Sequence, residues 1–88
     1  MEFKYDNNRI YIEKEDKTLL AEITFPEVKE GVCDINHTYV SDELRGQGIA
    51  GKLVKAAVNQ IKKEGKTFRT SCSYAASWTQ KHADEIAD

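Results

Sequence analysis

Eighty-eight residues, 40% of them hydrophobic and 32% charged, leave room for one domain and no second. No apolar stretch is long enough to span a bilayer and the N-terminus carries no signal-peptide pattern, so a cytosolic domain without a membrane partner is expected. The formal charge of −2 hides an asymmetry, because residues 45–69 hold seven bases and one acid while the remainder holds six bases and fourteen acids.

Phe3 to Asp6 and Ile10 to Lys14 read as two strands joined at Asn7-Asn8, a pair that tolerates left-handed backbone. A turn at Glu15-Asp16-Lys17 leads into a third strand, Thr18 to Phe25. There Leu19, Ala21, Ile23 and Phe25 alternate with Glu22 and Thr24, which predicts one buried face. Pro26 ends that strand, and Glu27 to Gly31 reads as a charged turn. Val32 to Val40 is expected to be one continuous fourth strand, with Cys33, Ile35, His37 and Tyr39 on one face. From Gly48 or Ile49 to Lys63 the spacing predicts a helix. Its buried stripe is Ile49, Leu53, Ala57 and Ile61, widened by Val54 and Val58, and Gly65 supplies the stop. Thr67 to Cys72 reads as a fifth strand and Ser73 to Ala87 as a second helix. Strands followed by a strand–helix–strand–helix run imply an α+β fold, with a mostly antiparallel sheet of about five strands and one right-handed parallel crossover.

The densest signal lies between the fourth strand and the first helix, in Leu44-Arg45-Gly46-Gln47-Gly48-Ile49-Ala50-Gly51-Lys52. Gly46 and Gly48 allow positive φ and close approach of a ligand to the backbone. The helix that starts there has N–H groups without intrahelical partners and the positive end of a macrodipole, an environment that suits phosphate. Arg45, Lys52 and Lys55 add cations. A glycine-rich connection that only turns the chain is the plainer alternative for a pattern this short. Nucleic acid competes for the same basic segment, and the acidic overall balance with few interleaved aromatics disfavours it.

Arg-x-x-Gly-x-Ala, met by Arg45, Gly48 and Ala50, resembles the acyl-coenzyme-A signature of the GNAT superfamily of N-acetyltransferases. The run from His37 to Val54 and then Ser71 to Trp78 is similar to the small single-domain members of that superfamily, over roughly residues 20–82. The resemblance implies a minimal GNAT-like fold with acetyl-CoA as cosubstrate. It places the pyrophosphate on Arg45, Gly46, Gln47, Gly48, Ile49, Ala50, Gly51, Lys52 and Lys55. It also places the pantetheine arm against the backbone of Thr38, Tyr39 and Val40. The acceptor it implies is an amine, such as a protein lysine, an N-terminus or a polyamine. The sequence departs from the family where helices normally separate the first two strands, since only Asn7 and Asn8 stand there, and the final strand pair after Trp78 is absent. A coenzyme-A-binding or regulatory module without catalysis is therefore the alternative function.

Acyl transfer to an amine needs a free amine, a held pair of reactants, a stabilised oxyanion and a proton for the departing thiolate. Cys72 stands at the end of the fifth strand before a helix N-terminus, a position that favours thiolate. It can serve as nucleophile or general acid, or simply pack the strand end as free cysteines commonly do. Tyr74 can protonate the leaving thiolate, or be a rim residue of the core. His37 is a candidate base near the thioester, or a hydrogen-bonded core histidine. Cys33 reads as packing and His82 as remote from the site. Both thiols are expected to be free, and no Cys/His spacing suggests a metal.

Overall fold

The first three strands form a meander because two short turns reverse the chain. The computed structural model describes residues 2–86. β1 (Lys4–Asp6) and β2 (Arg9–Glu13) meet across Asn7 and Asn8, with Asn8 in the left-handed region at φ 56°. β3 (Leu19–Thr24) pairs antiparallel with β2, placing Ile10 opposite Ile23 and Ile12 opposite Ala21, so these four share the buried face.

The segment 27–31, expected as a turn, contains a short strand, β4 (Glu27–Lys29), on the edge of a second sheet. Its charged side chains concealed it, although they suit an exposed edge. The expected continuous strand from Val32 to Val40 is divided at Asn36 into β5 (Val32–Ile35) and β6 (His37–Val40). β6 joins the first sheet, in the order β1-β2-β3-β6, antiparallel to β3. β5 instead pairs with β4 and, in parallel, with β7 (Thr67–Thr70). The division shifts the alternation by one step. Cys33 and Ile35 face the core, but after Asn36 the inward positions are Thr38 and Val40, opposite Ile23 and Ala21. His37 and Tyr39 thus do not share the face of Cys33 and Ile35. They lie outward, opposite Thr24 and Glu22.

α1 (Ile49–Lys63) covers the buried face of both sheets. All six expected positions, Ile49, Leu53, Val54, Ala57, Val58 and Ile61, are buried and meet Ile10, Ile12, Ile23 and Ile35 in one core. Each fully buried Leu or Ile contributes about 1.5–3 kcal/mol relative to exposure. The helix ends in a left-handed glycine, Gly65 at φ 75°, with Lys66 N–H bonded to Ile61 O and Gly65 N–H to Lys62 O, which satisfies two terminal carbonyls. The second helix is shorter than expected. α2 (Ser73–Lys81) stops at His82, α3 (Ala83–Ile86) follows, and Ala87 lies outside the described residues. No helix is long and apolar enough to cross a membrane, among the described residues. The outer face of the four-stranded sheet, with Arg9, Tyr11, Glu22, His37 and Tyr39, carries no helix among the described residues.

Candidate active site

The loop into α1 is built by a one-turn 3-10 helix, Asp42–Leu44, capped by Ser41, whose hydroxyl accepts from Glu43 N–H. Leu44 is buried and anchors the turn, and Arg45 is turned outward, pairing with Asp42 Oδ1 at 2.9 Å. Gly46 (φ 80°) and Gly48 (φ 69°) then take left-handed backbone, and a Cβ on either would meet nothing within 4 Å. Open space therefore stands over both glycines. Lys52 N–H bonds to Gly48 O, so the amides of Ile49, Ala50 and Gly51 precede the first helical hydrogen bond and are free to face a ligand.

Gly51 has a different reason to be glycine. A Cβ there would come within 2.6 Å of Trp78 Nε1, so its absence lets α2 approach α1. A cavity of about 250 Å³ lies at this contact, lined by Gly48, Gly51, Lys52, Lys55, Trp78, His82 and Glu85. The Trp78 and His82 rings stack with centroids 4.2 Å apart, and Lys55 pairs with Glu85 at 3.2 Å. His82 thus belongs to the wall of the cavity. Its i, i+4 spacing from Trp78, which puts both on one face of α2, was the available sign. A larger groove of about 550 Å³ runs along the other side of α1 past Phe3, Tyr5, Lys52, Lys55 and Lys63. The glycine turn does not line it, whereas Gly48 and Gly51 line the smaller cavity.

The crevice beside this cavity follows from the change of partner at Asn36. The parallel pairing of β5 with β7 ends at Ile35 and Thr70, and Ile35 O accepts from the amides of both Ser71 and Cys72. Beyond that point β6 pairs only with β3, so β6 and residues 71–72 separate. Ser41 N–H donates to Leu20 O at the end of the β3–β6 ladder. Alternation then turns the peptide groups of Tyr39 and His37 toward β3 and those of Thr38 and Val40 toward the open edge.

Cys72 and Thr38 face each other here, Sγ to Oγ1 at 3.6 Å. Burial pushes the Cys72 thiol up, but the Ala75 amide, the Thr38 hydroxyl and the Tyr74 amide together outweigh it and hold the thiol below its ordinary value. The sulfur makes no regular capping hydrogen bond to α2, so those amides act mainly as dipoles. Tyr74 lies in the first turn of α2 and is exposed. Thr38 and Cys72 are brought together with Tyr74 two residues on. His37 is turned to the other face of the sheet, where its Nε2 stands 3.6 Å from Glu22 Oε1 and Arg9 Nε bonds the second carboxylate oxygen. Cys33 is buried in the core, and burial pushes its thiol up.

The model of the GCN5-related N-acetyltransferase family matches residues 9–88. A GCN5-like N-acetyltransferase candidate from Staphylococcus aureus is 38% identical, with a TM-score of 0.78 over 94% of this chain and 81% of its own. Protein NATD1 of Homo sapiens and of Gallus gallus is 31% identical over 62 residues, 70% of this chain. The chain spans 55–56% of the length of those relatives. Tetrahymena GCN5, 16% identical with a TM-score of 0.63 over 86% of this chain and 51% of its own, shares the fold.

Proposed function

Because this chain belongs to the GCN5-related N-acetyltransferase family, with nearly its whole length matched, we propose that it transfers an acetyl group from acetyl-CoA to an amine. The observation that carries the reading is the glycine turn opening α1 beside a crevice that ends at Cys72. The residues present fit the cosubstrate. Amides of residues 46–51 and the Lys52 and Lys55 ammonium groups receive its phosphates, with open space over Gly46 and Gly48. Arg45, at the start of the turn, can swing from Asp42 to add a third cation. The crevice-facing peptide groups of Thr38 and Val40 can bond an extended amide-bearing arm as a strand would. Tyr39, between them, turns its peptide toward β3 and its ring outward.

Acetyl-CoA supplies the activated acetyl group as a thioester. Cys72, with a depressed thiol pKa and Thr38 beside it, either protonates the departing thiolate or carries the acetyl group itself. Tyr74 is the second candidate acid. His37, on the outer face of the sheet with Glu22, can only serve as a base if the amine arrives from that side. The acceptor is a protein amine or a polyamine, reached through an open cleft. The free thiols suit a reducing, cytosolic setting. A coenzyme-A-binding module without turnover is the second reading, favoured by the bare Asn7-Asn8 link where family members build acceptor-side helices.

Titrating acetyl-CoA into ¹⁵N-labelled protein tests the cradle. The amides of residues 46–51 should shift more than any others, and coenzyme A release should rise when an amine is added. Shifts confined elsewhere would remove the cradle, and shifts without release would leave only the binding module.

A further inference from the structure

The described residues include one buried side-chain oxygen without a hydrogen bond, Asp34 Oδ1. Asp34 is on β5, and its side chain is only 9% exposed. Oδ2 accepts from Ser71 Oγ at 2.8 Å. Oδ1 has only Arg69 Nε at 3.8 Å, too far for a hydrogen bond, from a side chain that is 60% exposed. A buried carboxylate oxygen left unpaired is unfavourable, and such a group calls for a partner from outside the chain or for another functional reason.

Its place in the fold says what that partner is. Asp34 lies directly across the parallel ladder from Arg69, and its neighbours Cys33 and Ile35 point the other way into the core. The carboxylate is therefore on the sheet face opposite α1 and opposite the glycine turn. Ser71, which holds it, immediately precedes Cys72, where the crevice opens. With the cosubstrate on the α1 side, the second reactant must approach from the side Asp34 occupies.

Resting on the acetyl-transfer reading, we propose that Asp34 Oδ1 receives an N–H of the acceptor's ammonium group, and that the Arg69 guanidinium is a placeholder which the acceptor displaces. A carboxylate so placed selects cationic amines over neutral hydroxyl acceptors, because only the amine brings both charge and donors. Ser71 positions the carboxylate through Oδ2 and leaves Oδ1 for the substrate. The acidic balance of the chain outside residues 45–69 favours the approach of the same cation.

The test uses the intact protein saturated with coenzyme A, with spermidine as probe and 1,4-butanediol as its neutral counterpart, followed by NMR at the Asp34 carboxyl carbon and the Ser71 amide. Spermidine should move both signals and butanediol neither. Asp34→Asn should weaken spermidine by about tenfold or more and leave the affinity for acetyl-CoA unchanged. Arg69→Gln, a surface change, should tighten spermidine by about threefold because the competing cation is gone. A purely structural Asp34–Arg69 pair gives no such gain. Spermidine that leaves Asp34 and Ser71 unmoved in the wild-type protein overturns the proposal, as does an Arg69→Gln variant that binds spermidine no better. A protein that fails to bind acetyl-CoA while spermidine still moves Asp34 would instead overturn the acetyl-transfer reading.

Discussion

Cys72 is subject to opposed influences, since burial disfavours its thiolate while the Ala75 and Tyr74 amides and the Thr38 hydroxyl favour it more. Its alkylation by iodoacetamide should therefore follow a pH midpoint below that of an ordinary thiol. Cys33, buried with its thiol pushed up, should react only after unfolding. Thr38→Val removes one of the stabilising donors and should move the Cys72 midpoint upward, and an unmoved midpoint would show that the hydroxyl does nothing there. If Cys72 acts in the chemistry, Cys72→Ala should lower turnover by roughly two to four orders of magnitude with acetyl-CoA affinity nearly intact. Unchanged turnover in that variant would leave Tyr74 as the acid. Gly51 and Gly48 fail in different ways when substituted. Gly51→Ala collides with Trp78 and should cost about 1–3 kcal/mol by overpacking, read as a lower urea midpoint and altered Trp78 fluorescence. Gly48→Val meets no neighbour. It strains a left-handed position by about 1–3 kcal/mol and puts a branched side chain where the ligand approaches, so acetyl-CoA affinity should fall with little change in Trp78 fluorescence.

Among the elements, α1 was legible to within one residue because its apolar stripe, its glycine start and its glycine stop all point the same way. The break at Asn36 was not legible. The run from Val32 to Val40 reads as one alternating strand, and the extra residue that shifts its phase has no compositional mark. For the same reason the alternation assigns His37 the face of Cys33 and Ile35, which the structure reverses, and leaves Asp34 as one outward residue among several. Within the candidate site, the left-handed glycine turn at residues 46–51 was legible from its glycines, and less so the meeting of distant side chains at Trp78, His82 and Gly51. The α1 lysines divide by position. Lys52 and Lys55 line the cavity, whereas Lys63 is a turn or more beyond it. Replacing Lys52 and Lys55 with alanine should weaken acetyl-CoA more than replacing Lys62 and Lys63, and the difference should shrink as salt rises. Equal losses would point to a diffuse basic surface. At the far end of α1, Lys66 bonds Glu27 at 2.8 Å, and this bond, with the Gly31 amide, holds the Glu27 carboxyl below its ordinary 4.5. A folded-state value below the unfolded one adds stability above that ordinary value, and the gain is lost as pH falls through the folded value. Urea midpoints should therefore fall between about pH 5 and pH 3, and less steeply in Glu27→Gln.

At the scale of the whole molecule, charge is segregated along the chain, with the basic segment around α1 and the acidic excess in the sheets and C-terminal helices. Such a distribution suits a polyanion on one side and a cation on the other. A folded chain of 88 residues buries a modest core, so a bound ligand should be conspicuous in its melting. Acetyl-CoA at about a hundredfold excess over its Kd adds about 2.7 kcal/mol. With about 4–8 °C per kcal/mol for a domain of this size, Tm should rise by about 10–20 °C. An unshifted Tm at millimolar acetyl-CoA would remove the cosubstrate assignment. The phase change at Asn36 has one more consequence, which concerns deletion and not substitution. Removing a single residue between Ile35 and Ser41 would restore the uninterrupted alternation. With Asn36 removed, Thr38 and Val40 keep their inward places and His37 and Tyr39 their outward ones, but the link that lets the chain leave β7 for β3 is gone, and the unpaired edge of the crevice would be lost with it. Each side chain in that stretch can be exchanged singly at moderate cost, but their number cannot change.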